Sequence, residues 1–230
     1  SDVLTPIDFK AAFLRATGVL MRNCGSNTNL EAFLKDFSEF LPTISRDEIL
    51  SRFMSFYSNE YAQIGKICIE NPLARNLIEK MSEFNSLKVV LATNPVFPRL
   101  AVLERLSWAR IDAGIFDLIT DCENMHSCKP RQEYFLEISE KIDVNPISCL
   151  MVGDDKINDM AAGTLGMTTF LVLEKQTPRL DAFRSIQKEL ALVQNIKIPL
   201  PDFCGSLKDF LSLLDLVSHC SDHSKDLSHK

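Results

Sequence analysis

The sequence predicts an α/β protein built on a doubly wound parallel sheet, and three observations predict it. Short apolar, β-branched runs at 87–92, 116–120, 149–152 and 168–173 alternate with stretches of helical pattern. Strands separated by helices of about 10–15 residues imply βαβ units and a parallel sheet. Three of those runs end in polar groups of kinds that bind anions or metals, and such sheets place their ligands at the carboxyl ends of strands. The region before the first run is wholly helical in pattern, which predicts a separate helical module.

The elements follow in order. From about Asp8 to Lys66, Phe9, Phe13 and Leu14 share one helical face, and Leu30, Phe33, Leu34, Phe37 and Leu41 form a second stripe that Pro42 stops. Ser45 stands three residues before Glu48, which predicts a capped helix start ahead of the stripe Ile49, Phe53 and Phe56. Aromatic stripes at this spacing are core. Asn71-Pro72 marks a turn and a boundary near 66–73. A helix is expected over 72–84, then the strand 87–92 ending in Thr93-Asn94-Pro95. A helix from Phe97 to Leu106, with Trp108 as packing, leads to the strand 116–120 and a loop ending Cys128-Lys129-Pro130. A helix over 130–142 precedes the third strand, and 168–173 is the fourth. Beyond Lys175 a loop and helix are expected over 177–193, and a last amphipathic helix over 205–217. The polar stretch 218–230, with His219, His223 and His229, reads as a frayed tail.

The third strand organises the chain. The apolar run Cys149 to Val152 ends in Gly153-Asp154-Asp155, and Asp159 follows within the same turn. Four apolar residues before a glycine read as a buried parallel strand, and the glycine permits a sharp turn. Asn158 to Gly163 then has helical composition. Hard carboxylate oxygens gathered at a strand end suit Mg²⁺. The same aspartates would also serve as a helix cap and as acids favoured at a helix N-terminus. This segment alone leaves both readings open.

Composition narrows the functional classes. The 230 residues, 46% apolar and 24% charged, are those of an ordinary globular protein of one large domain or one domain with an insert. No apolar run is long enough for a membrane span, and no signal peptide is evident at Ser1. A net charge of −6 argues against nucleic acid as the main partner, though not against a phosphate held by a lysine and a cation. Seven scattered cysteines with no C-x-x-C pair favour reduced thiols and a cytoplasmic location.

Three strand ends thus present Thr93 and Asn94, then Lys129, then Asp154, Asp155 and Asp159. A hydroxyl with neighbouring amides, a lysine and a metal-binding acid cluster are what phosphoryl transfer requires. The ordered set Leu91-Ala92-Thr93-Asn94, Cys128-Lys129-Pro130 and Val152-Gly153-Asp154-Asp155-Lys156-Ile157-Asn158-Asp159 resembles motifs II, III and IV of the haloacid dehalogenase-like (HAD) hydrolase superfamily. The resemblance implies a Rossmann-type core over 1–8 and 72–230 and a helical cap domain over 9–71. It implies a small phosphorylated molecule as partner, with oligomeric state left open. By it, Thr93 binds the transferring phosphoryl group, Asn94 shapes the site, and Lys129 stabilises the charge of nucleophile and phosphate. Asp154, Asp155 and Asp159 would hold Mg²⁺. The family's first motif does not match in full. Aligning Val3-Leu4 to its end puts Ser1 at the acid/base position and the nucleophilic Asp two residues before Ser1, with its strand. A central strand is needed to pair its neighbours' backbones, so preceding residues are the expectation. Its rivals are a degenerate binding or regulatory protein on the same fold and a haloacid dehalogenase, against which the Asp154-Asp155 pair argues.

Overall fold

A computed structural model describes residues 5–173 and 196–226. The loop and helix expected over 177–193, and Ser1 to Leu4, lie outside the described residues.

The helical module forms from well-capped amphipathic segments. Helix α1 (Pro6–Arg22) starts at Thr5, whose hydroxyl accepts the Asp8 amide at 3.2 Å, with Pro6 in the first turn. Helix α2 (Asn29–Phe37) carries a full capping box between Thr28 and Glu31. Helix α3 (Arg46–Asn59) starts at Ser45, whose hydroxyl accepts the Glu48 amide, as the sequence predicted. The apolar stripes meet as stacked and edge-on rings, with Phe33 and Phe37 at 5.5 Å and Phe37 and Phe53 at 5.3 Å. Beside them a cavity of about 700 Å³ is lined by Phe9, Phe53, Phe56 and Tyr57 among others, and by none of the strand-end residues. Expected as one helix to Leu41, the second stripe instead bends after Phe37 into a 3₁₀ turn over Ser38–Phe40.

The remaining elements alternate. Helix α4 (Pro72–Met81), capped by Asn71, precedes strand β1 (Val90–Leu91); helix α5 (Arg99–Trp108) precedes β2 (Leu118–Ile119). Helix α6 (Gln132–Lys141) leads to β3 (Leu150–Gly153), then β4 (Thr168–Val172), β5 (Phe203–Gly205) and helix α7 (Leu207–Asp226). The strand pairings among the described residues are all parallel: β1 with β2, β3 with β4, and β4 with β5. Helix α7 runs past the stop expected at Val217 and into the stretch taken for a frayed tail. Residues 218–226 contain neither glycine nor proline to break it. No helix among the described residues is long and apolar enough to cross a membrane.

The sheet comes as two pieces, β1-β2 and β3-β4-β5. A cavity of about 550 Å³ lies between them, lined by Val90 and Leu91 on one side and Met151 and Val152 on the other. The third strand, expected to be buried, is therefore not. Leu150 is 48% exposed and the rest of β3 is half-buried, whereas four of five residues of β4, which has strands on both sides, are buried. A second departure follows β3. The residues 158–163 do not make a regular α-helix but a turn followed by a 3₁₀ segment, Met160–Leu165, closed by Gly166 at φ 79. Asp155 holds the turn tight, and the glycines at 163 and 166 disfavour a regular helix.

Candidate active site

Lys129 is the centre of the site. It follows the loop after β2 and is 4% exposed. Its ammonium donates to the Ala92 carbonyl at 2.7 Å and to Asp159 Oδ1 at 2.6 Å. Ala92 follows β1 and Asp159 follows β3, so one buried cation ties the carboxyl ends of both sheet pieces to a common edge. Removing that cation would strand a buried carboxylate, which is far costlier than leaving out the pair entirely. The Tyr134 ring lies 5.6 Å from the same ammonium.

The loop after β1 is fixed from the other side. Asn94 Oδ1 accepts the Lys129 amide at 3.2 Å, so the second and third predicted motifs are hydrogen-bonded to one another. The Thr93 hydroxyl donates to the Thr120 carbonyl at 2.8 Å, and the Thr93 carbonyl accepts from the Tyr134 phenol at 2.6 Å and from the Thr120 hydroxyl at 3.0 Å. Burial pushes the Tyr134 phenol well above its ordinary pKa, which keeps it a donor.

The predicted acid cluster divides into different tasks. Asp155 acts as a turn cap: Oδ1 accepts the amides of Ile157 at 2.9 Å and Asn158 at 3.0 Å, and Oδ2 accepts from Asn158 Nδ2. Asp159 neutralises Lys129 with one oxygen and accepts the Asp155 amide with the other at 3.0 Å. Gly153 is required here. A Cβ at that position would sit 2.2 Å from Asp159 Oδ2. Asp154 lines the cavity between the two sheet pieces. Among the described residues no three His, Cys, Asp or Glu side chains converge as a metal-holding group. The structure thus brings Thr93, Asn94, Lys129 and Asp159 together and leaves the acids spread, because Asp155 and Asp159 spend their oxygens on the turn and on Lys129.

Sequence reading missed three contributors. Thr120 and Tyr134 are fully buried and brace Thr93. Thr120 follows the second strand, as Thr93 follows the first, and that parallel was the available signal. Asn29 is also fully buried, and its amide reaches the Pro95 and Ser127 carbonyls at 3.3 and 3.2 Å. The adjacent backbone amides of Asn29 and Leu30 donate to the Met125 and Cys122 carbonyls. The start of α2 is thereby seated on the loops that flank Thr93 and Lys129.

Residues 127–197, the stretch holding Lys129, Asp154, Asp155 and Asp159, match the family model described as HAD-hydrolase-like. The L-2-haloacid dehalogenase from Xanthobacter autotrophicus is 16% identical, with a TM-score of 0.50 over 91% of this chain and 82% of its own. A HAD phosphatase from Thermococcus onnurineus is 17% identical, at a TM-score of 0.48 over 90% of each chain. A putative β-phosphoglucomutase from Thermotoga maritima is 17% identical, at 0.47 over 93% of each. No curated protein matches by sequence. The chain is thus similar in fold to a haloacid dehalogenase, and its segment 127–197 matches the HAD-hydrolase-like model.

Proposed function

We propose that this protein hydrolyses a small phosphate monoester, with Mg²⁺, through an aspartyl-phosphate. The observation that carries the proposal is the buried Lys129 ammonium, held between the ends of β1 and β3 and bonded to Asn94 through its backbone. A fixed, desolvated cation at the carboxyl edge suits the anionic oxygens of a transferring phosphoryl group. The nucleophile is a carboxylate carried by polypeptide preceding Ser1.

The donor chemistry fits Mg²⁺ in part. Asp154 lines the cavity, and its hard carboxylate oxygens are the kind this ion takes. Asp155 and Asp159 support the turn that presents Asp154 rather than completing a three-acid shell. Asp154 would help hold the ion, which would offset the negative charge of a bound phosphate. The chain's own residues do the rest. Lys129 balances the carboxylate and phosphate charge. Asn94 holds Lys129 in place. Thr93 receives a phosphate oxygen once its hydroxyl turns from Thr120. Helices α1 to α3 are the cap that covers the strand ends and excludes water, supported by their seating through Asn29 and Leu30. If the serine that the resemblance puts at the acid/base position is native there, phosphoester hydrolysis should be slow or lost. The described cysteines are free thiols, in keeping with a cytoplasmic location.

The test uses the full-length protein with p-nitrophenyl phosphate, with and without Mg²⁺. Asp154→Asn is expected to lower turnover about 100-fold or more with the fold intact by circular dichroism. Full activity of that variant would overturn the metal assignment. A second reading, a non-catalytic binding protein, is favoured by the engagement of Thr93, Asp155 and Asp159 in internal bonds. An intact full-length fold that turns over neither the phosphate ester nor 2-chloropropionate would establish it.

A further inference from the structure

We propose that the helical module carries a ligand site of its own, in the cavity between α1, α2 and α3, for a flat apolar molecule of one or two rings with a single negative charge. The cavity holds about 700 Å³. Sites for small molecules span about 300–1,000 Å³ and are lined mostly by apolar and aromatic groups with a few polar ones. Here the walls include Phe9 and Phe13 from α1, Phe37 from α2, and Phe53 and Phe56 from α3. These rings already meet in arrangements that aromatic pairs prefer. Phe9 stacks on Phe13 at 6.0 Å and lies edge-on to Phe37 at 5.8 Å. Phe9 and Phe56 nevertheless stay 44% and 43% exposed, and a planar ring beside them would bury those faces. Water is a poor occupant, because it needs two to four polar partners. The described lining offers a guanidinium and a phenol, those of Arg52 and Tyr57. A protein partner fits no better. An α-helix is about 10–12 Å across, so under about two turns of one would fill the space, too short a piece to be stable alone.

Arg52 sets the sign of the ligand's charge, as the charged residue of the described lining. Its guanidinium meets Glu48, one helical turn earlier, at 2.6 Å, but both side chains are more than half exposed. A pair so exposed contributes little, so Arg52 can turn to a ligand carboxylate at small cost. The Tyr57 phenol is pushed up to about 12, chiefly by burial, so it stays neutral and does not repel an anion. The site is separate from the strand ends, since Thr93, Asn94, Lys129 and Asp154 are not in its lining. It is nevertheless coupled to them by packing. Phe13, Phe37 and Phe53 share one apolar cluster with Val96, Cys122 and Cys128, which belong to the loops that carry Asn94 and Lys129. A molecule bound among these rings stabilises the folded module, and with it the loops packed on that module. The proposal stands whether or not the protein turns over phosphate.

The experiment titrates the full-length protein by calorimetry with 2-naphthoate and, separately, with its uncharged counterpart 2-naphthamide. One-to-one binding of naphthoate tighter than about 1 mM is expected, undisturbed by excess inorganic phosphate. Arg52→Met keeps the aliphatic stem and should weaken naphthoate about threefold to fivefold while leaving naphthamide unchanged. Leu41→Trp fills the cavity from a half-buried position and should abolish binding of both. Phe56→Ala removes a wall that is already exposed, so the fold is kept by circular dichroism; both molecules should bind about threefold to tenfold more weakly. Absence of binding to the wild-type protein would overturn the proposal. So would full-strength binding in Leu41→Trp and Phe56→Ala, or displacement of naphthoate by phosphate, which would put the molecule at the strand ends. Equal loss of naphthoate and naphthamide in Arg52→Met would overturn the assigned charge. Naphthoate binding by a protein without phosphatase activity would sink the catalytic reading and leave this site standing.

Discussion

Replacing Lys129 by methionine tests the keystone of the site. The side chains of Lys129 and Asp159 are 5% and 9% exposed and meet at 2.6 Å. Methionine keeps most of the aliphatic volume but leaves the Asp159 carboxylate buried without a counter-charge and the Ala92 carbonyl without its donor. Breaking one partner of a buried pair costs about 3–5 kcal/mol. For a chain of this size, each kcal/mol lowers Tm by about 2–4 °C. The expected fall is therefore about 6–20 °C. Urea unfolding of Lys129→Met, Asp159→Asn and the double variant forms a cycle. The double variant should be less destabilised than the sum of the singles by about 1 kcal/mol or more, because it removes both charges together. A Lys129→Met protein within about 1 kcal/mol of wild type, or strict additivity, would refute the idea that the pair is a buried, mutually dependent unit.

Other predictions test the surrounding frame. Gly153→Ala should destabilise by about 1–3 kcal/mol in urea, since its Cβ would meet the Asp159 carboxylate at 2.2 Å and displace it from Lys129. Asn29→Ala should cost about 1–3 kcal/mol, by leaving the buried Pro95 and Ser127 carbonyls without donors; limited proteolysis should then cut first in the 122–128 loop. The amide and hydroxyl of Thr169 hold the Asp202 carboxyl below its usual range. A lowered folded pKa adds stability above the unfolded value and loses it as pH falls through the folded one. Melting temperature should therefore drop from about pH 4 downward, and Asp202→Asn should flatten that slope. Burial raises the Asp121 carboxyl, so its contribution has the opposite sign. Stability tied to Asp121 should be fullest below the ordinary carboxylate range and decline as pH rises past it, a trend that Asp121→Asn removes from the melting curve.

Much of this architecture was legible without coordinates. The cap of Ser45 on the Glu48 amide depends on a bond spanning three residues, so the local chain carries it whole. The strand runs were legible because parallel strands buried on both faces are continuously apolar. The motif residues Thr93, Asn94 and Lys129 were legible as strand-end and helix-start chemistry. Their pairing was not: the bond from the Lys129 amide to Asn94 spans positions 35 apart, and that from Lys129 to Asp159 spans 30. The roles of the acids were also hidden. Asp154, Asp155 and Asp159 look alike in sequence, yet only their directions in space make one a turn cap and another the partner of a buried lysine. Nothing local distinguishes Asn29 from the first residue of a surface helix, yet its side chain anchors two loops far along the chain. The division of the sheet was decided only in three dimensions, because whether a strand edge is paired depends on which other strand reaches it. Sequence by itself determined the elements and the chemical types at their ends, since those follow from periodicity, caps and turns within a few residues. Tertiary structure alone decided which of those ends meet, because contacts between distant segments are set by packing and charge pairing that no local pattern records.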